Sequence, residues 1–176
     1  TENPKFPTIA DIGKERIQRV IKKLEEEKSG RLDMESRETP EDLGFRVFKL
    51  AESNVKPWTG VEEADAETWI EQMELFADPL QDGWKPVNLI WETAVKEGYT
   101  LTSTIEKLPG ITANAVYKVI DKEKEQSFLI CVDEELKPDT PRALQLGRDT
   151  LFICRDIAIT DNQAANLALM CRLKTI

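Results

Sequence analysis

The stretch AVYKVIDKEKEQSFLICV, residues 115–132, decides the architecture. Two runs rich in β-branched and aromatic residues, Ala115 to Asp121 and Ser127 to Val132, flank the charged turn KEKEQ, which is the pattern of a β-hairpin. The second run ends in FLICV, apolar at every position, so this strand is predicted to be central and buried on both faces. Toward the C-terminus, Thr140-Pro141 predicts a short helix through Leu146 with proline at its first position, followed by a third strand from Thr150 to Arg155. The 17 residues between the second and third strands suffice for a crossover, so those two are expected to pair in parallel. Thr160 with Gln163 forms a capping box opening a last helix over ITDNQAANLALMCRL. The fold class expected is α/β (α+β), a small mixed β-sheet with surrounding helices.

Upstream of the sheet the period becomes helical. Trp69, Ile70, Met73, Phe76 and Leu80 mark one helix from about Ala64 to Leu80, ended by Asp82-Gly83. Val87, Ile90, Trp91, Ala94 and Val95 mark a second, from about Trp84 to Lys96, with Pro86 in its first turn and Gly98 as its stop. So short a connection predicts an antiparallel helical hairpin. Thr8 and Asp11 open a long N-terminal helix with the stripe Ile17, Val20, Ile21 and Leu24, a Glu15–Arg19 pair on its solvated face, and Gly30 as its close. A polar linker follows, and then LGFRVFKL (43–50), read as a strand covered on both sides. The organisation expected is residues 1–60 as a detached helix, linker and strand, and residues 61–176 as a separate C-terminal domain.

Composition excludes several chemistries. The chain of 176 residues has no histidine, so Ser-His-Asp and Cys-His catalysis, histidine metal sites and imidazole acid-base steps cannot be built from it. No phosphate-binding loop, G-x-G-x-x-G or C-x-x-C is present. Cys131, Cys154 and Cys171 sit among aliphatic neighbours and read as reduced core residues of a cytosolic protein. The longest apolar runs fall far short of the ~20 residues of a membrane span, and no secretory leader is visible. Adjacent carboxylates such as Glu62-Glu63 and Glu134-Glu135 are explained by acid density, and Thr102-Ser103-Thr104 reads as a loop with capping duties.

The net charge of −9 is unevenly distributed. Residues 41–110 hold fourteen acids against six bases, and between Val61 and Gly83 there are eight acids and no base. Such a segment repels a phosphate backbone and suits a protein partner. Trp58, Trp69, Trp84 and Trp91 lie in the same region; the last three have core spacing, whereas Trp58 follows Pro57 in a connection and is the better interface anchor. The candidate partner interface is Trp58 with Glu63, Glu67, Glu71 and Glu74. A free-standing acidic adaptor fits these features, and so, with less to support it, would a small carboxylate enzyme whose cleft gathers acids of raised pKa.

Three blocks carry a resemblance: TIADIGKERIQRVIKKL (8–24), DLGFRVFKLAESNVKPW (42–58) and LFICRDIAITDNQAANLALMCRLKTI (151–176). In that order and spacing they resemble the C-terminal region of the modification (Mod) subunit of bacterial type III restriction-modification systems, a site-specific adenine-N6 DNA methyltransferase. Ala51-Glu52 departs from the polar pair, beginning with Asp, of the family pattern. The family's catalytic D-P-P-Y and its F-x-G-x-G loop are missing, as is the region that reads the DNA sequence. In the family's motif order all three lie upstream. The resemblance therefore implies a C-terminal fragment that does no chemistry, with residues 8–28 as the last helix of a methyltransferase domain. It implies S-adenosylmethionine as cofactor of the full-length protein and none held by this fragment. The implied partners are a helicase-nuclease restriction subunit and a second Mod copy, with DNA bound through upstream domains, in the bacterial cytoplasm and away from membranes.

Titration of the isolated chain with S-adenosylmethionine in a calorimeter should give no saturable heat, since neither the glycine-rich turn nor the acidic tetrapeptide is present. Micromolar binding abolished by a point mutation in this chain would overturn the fragment reading.

Overall fold

Thr8 and Asp11 cap the N-terminal helix as their spacing predicts: the Asp11 amide donates to Thr8 Oγ1 at 3.2 Å and the Thr8 amide to Asp11 Oδ2 at 3.2 Å. The computed structural model describes residues 6–29, 43–57, 66, 69–70, 73 and 77–176. Two compact units divide the chain, Thr1–Leu50 and Ala51–Ile176, so the division falls before the expected boundary at residue 60.

In the first unit, helix α1 runs over Ile9–Ser29, with Arg19 Nε donating to Glu15 at 2.8 Å as expected. Gly30, its predicted stop, lies outside the described residues. Of the predicted stripe, Ile17, Val20 and Leu24 are exposed. The predicted strand LGFRVFKL is not one: residues 43–50 carry no strand assignment, and Phe45, Val47, Phe48 and Leu50 are exposed. Apolar, β-branched residues make a strand only where a sheet accepts and covers them. The five-stranded sheet of the second unit is complete without this segment.

The second unit is a mixed α/β fold. Helix α2 (Pro86–Lys96) precedes strands β1 (Thr104–Lys107), β2 (Val116–Asp121) and β3 (Gln126–Cys131). Then come the short helix α3 (Asp139–Ala143), strand β4 (Leu151–Cys154), helix α4 (Asp161–Met170) and strand β5 (Arg172–Thr175). Spatial order equals chain order, β1-β2-β3-β4-β5. The first two pairings are antiparallel and the last two parallel. The predicted hairpin is β2–β3, and the predicted parallel crossover is β3–β4.

Strand β3 is central and sorts its side chains alternately between two cores, which is why FLICV has no polar side. Phe128 and Ile130, with Val119 and Ile153, face Leu89, Ile90 and Ala94 of α2. The Tyr99 ring meets Phe128 edge-on at 4.8 Å. On the opposite face Cys131, Phe152 and Cys154 pack with Val116, Leu136, Ala158, Leu167 and Cys171. Glu125, which closes the β2–β3 turn, takes φ 52, a left-handed backbone that charged side chains rarely adopt.

Four expectations are corrected at the edges of this unit. Thr104 begins edge strand β1 rather than ending a loop, because β2 supplies a ladder from Thr104↔Ile120 to Lys107↔Tyr117. The last helix stops at Met170: Cys171 is extended, and Arg172 to Thr175 pair with Leu151 to Cys154 because the open side of β4 takes a strand there. Helix α3 starts earlier than Pro141 and ends earlier than Leu146, at Asp139–Ala143, where Thr140 is buried and donates to Asn114 Oδ1 at 2.6 Å. In the predicted helical hairpin α2 is found, and Ala66, Trp69, Ile70 and Met73 are helical. Yet Trp69, Ile70 and Met73 are exposed, while Leu80 is buried outside any helix, bridged to Val55.

The three thiols are buried in one core, and burial pushes Cys131 up to about 11 and Cys154 up to about 12. Native-state alkylation at neutral pH should therefore be at least ~100-fold slower than in denaturant, because thiolate forms only on opening. Rapid labelling of one cysteine under native conditions, followed by mass spectrometry, would contradict this packing.

Candidate functional site

The acidic, tryptophan-containing segment is the sequence's own candidate. Trp58, Glu63, Glu67, Glu71 and Glu74 all lie outside the described residues. What the structure does describe is the stem that carries them. Val55 and Leu80 form an antiparallel bridge. The Lys56 amide donates to the Pro79 carbonyl at 2.8 Å and the Gln81 amide to the Asn54 carbonyl at 2.9 Å. Residues 54–56 and 79–81 are therefore held side by side.

Two carboxylates fasten this stem. Glu92, on α2, accepts the Asn54 amide at 2.7 Å and Asn54 Nδ2 at 2.8 Å, and pairs with Lys96 at 2.8 Å. Burial opposes ionisation of Glu92, but Lys96, Ser53 and Asn54 outweigh it and hold the carboxyl at about 2. Asp78 closes a local turn by accepting the Leu80 amide at 3.2 Å. Its other oxygen accepts Arg155 Nη2 at 2.8 Å. Burial raises the Asp78 pKa, while the Leu80 amide and Arg155 lower it further, leaving it below the usual carboxylate range.

Arg155 is the residue that sequence reading missed. It follows β4 directly, at the carboxyl end of the parallel strands, where open α/β sheets commonly place their binding sites. It is 2% exposed and stands 5.4 Å from the Trp84 ring centroid. Trp84 thus serves the stem as well as the core its spacing predicted. The available signal was a charged residue ending the apolar run LFIC, which within a buried strand requires a partner.

Together these side chains hold the stem to α2 and to the end of β4. Among the described residues no group of three or more Cys, Asp or Glu is arranged to bind a metal ion. Asp121 is consumed by structure: it accepts the Thr100 amide at 2.8 Å and the Glu123 amide at 3.0 Å, which hold it below the usual carboxylate range. The positive-φ glycines Gly83, Gly98 and Gly110 stand singly. An open hollow is lined by Arg148, Ala168, Leu169, Cys171 and Arg172. No helix among the described residues is long and apolar enough to cross a membrane.

Comparison with protein-family models, with curated proteins and with solved structures finds no match for this chain.

Folding lowers the Glu92 pKa from 4.5 to about 2, so ionised Glu92 stabilises the native state above pH 4.5 and that contribution is lost as pH falls toward 2. Glu92→Gln should cost on the order of 2 kcal/mol at neutral pH, with the difference from wild type vanishing near ~pH 2. Urea unfolding at a series of pH values checks this; a difference independent of pH would show that Glu92 acts by packing alone.

Proposed function

We propose that the chain is the C-terminal part of an S-adenosylmethionine-dependent adenine-N6 DNA methyltransferase, the Mod subunit of a type III restriction-modification system. In that protein it serves as a scaffold and subunit-interaction domain. The observation that carries the reading is the order and spacing of the three sequence blocks at 8–24, 42–58 and 151–176. The last block contributes α4, two of the five strands, β4 and β5, and Arg155, one of the two charged groups that anchor the stem.

The chemistry of the full-length enzyme, methyl transfer to an adenine amino group flipped from the duplex, belongs on this reading to upstream domains. The same is true of cofactor and sequence recognition. This chain supplies contacts. Seven acids and no base from Glu62 to Asp78 make a stretch of sequence that suits a basic protein surface and repels DNA. The partner fitting that stretch is the helicase-nuclease subunit of the complex, with a second Mod copy completing the assembly in the bacterial cytoplasm. A free-standing adaptor would use the same acidic stretch; D-P-P-Y and F-x-G-x-G upstream in the reading frame would separate the two readings.

Replacing Glu63, Glu67, Glu71 and Glu74 together by lysine in the intact subunit should leave methylation unchanged. It should weaken assembly with the helicase-nuclease subunit on the order of tenfold or more at low salt, and less at high salt. Co-purification and salt-dependent binding measure this, and unaltered assembly would show that the acidic stretch is only solvated.

A further inference from the structure

Arg155 is the largest fully buried side chain among the described residues, and its hydrogen bonding is incomplete. Nη2 is used by Asp78, while Nε and Nη1 are buried with no hydrogen-bond acceptor. Glu134 Oε1 stands 4.0 Å from Nη1, close enough for Coulomb attraction and too far for a hydrogen bond. A guanidinium stripped of acceptors in a protein interior costs several kcal/mol, so Asp78 could not leave Arg155 unless another carboxylate arrived.

Glu134 is built to arrive. Its side chain is 87% exposed, so nothing holds it away. The backbone on either side is pinned: Asn114 Nδ2 donates both to Asp133 Oδ2 and to the Glu135 carbonyl at 2.8 Å, and the Ala115 amide donates to Asp133 Oδ2 at 2.9 Å. Only the Glu134 side chain needs to rotate. Asp78 is itself 48% exposed, and its backbone carbonyl accepts Lys56 Nζ at 2.8 Å, so it can turn outward without unravelling the stem.

We propose that Arg155 is a shared cation exchanged between two carboxylates, with Asp78 the resident acceptor and Glu134 the reserve, so that the stem of the acidic segment opens by exchange and never leaves a bare guanidinium. The stem then has two anchored arrangements. In one the Asp78 turn is tied to the end of β4; in the other Arg155 is held by the loop after β3, and the turn at residues 78–81 is retained only by its bridge to residues 54–56.

The test is a double-substitution cycle on this chain with Asp78→Asn, Glu134→Gln and both together. One readout is hydrogen exchange at the Lys56 and Gln81 amides, which bond across the stem. Glu134→Gln alone should slow exchange at those amides, because Asp78 then has no replacement on Arg155; Asp78→Asn should speed it, and in that background Glu134→Gln should no longer slow it, so the two effects do not multiply. A second readout is the Arg155 Nε–H resonance, which should respond to Glu134→Gln more strongly in the Asp78→Asn background than in the wild type. Multiplicative effects on exchange, or an Arg155 resonance indifferent to Glu134 once Asp78 is neutralised, would overturn the proposal. Circular dichroism of each variant under the conditions of the exchange measurement keeps loss of the fold distinct from opening of the stem.

Discussion

A strand with no polar face must be covered twice, and β3 sets that requirement for the whole second unit. Burying side chains such as Phe128 and Ile130 on one face and Cys131 on the other contributes ~1.5–3 kcal/mol for each large residue, provided both layers are present. Helix α2 is the first layer. The second is assembled from Leu136, the turn around Ala158, and Leu167 on α4, pieces too short to stand alone. The connections therefore follow from the strand. The crossovers from β3 to β4 and from β4 to β5 supply the covering elements and return the chain in parallel.

Polar groups complete what the apolar layers leave open. Asn114 bonds to Asp133, the Glu135 carbonyl, the Lys137 amide and Thr140, and so fixes the path out of β3. Asp121 does the same for the β2–β3 turn and the loop at Thr100. Glu92 and Arg155 hold the stem from opposite sides, one from a helix and one from a strand end. Asn114, Asp121 and Glu92 are each given several partners, the condition under which burial of such a group is tolerated, whereas Arg155 has Asp78 as acceptor and the Trp84 ring beside it.

The central hairpin, the parallel third strand and α2 were legible in the sequence because each has a local cause: alternating or continuous apolar residues, a proline in a first turn, a glycine at a stop. The edge strands were not. Thr104–Lys107 and Arg172–Thr175 are four residues each, mostly polar, and become strands only because β2 and β4 offer ladders. LGFRVFKL shows the converse, since strong β-character yields no assigned strand. As for the site, Trp58 and the four glutamates are visible in sequence through charge alone. The stem depends on Asp78 meeting Arg155 across 77 positions of chain, which no periodicity encodes.

Chain order and spatial order coincide in this sheet, and that bears on how it is made. Each strand pairs with the strand synthesised just before it, so a chain emerging from the ribosome always finds its next partner already in place. The antiparallel pairs β1–β2 and β2–β3 close short loops and form early. The parallel pairs must wait for their crossovers, with a larger entropy of closure. During that wait the β4 side of β3 is bare, with FLICV presented as an open edge. The charged turn KEKEQ leads directly into that strand, so the exposed intermediate bears charge at the end of the edge that would otherwise invite a second chain.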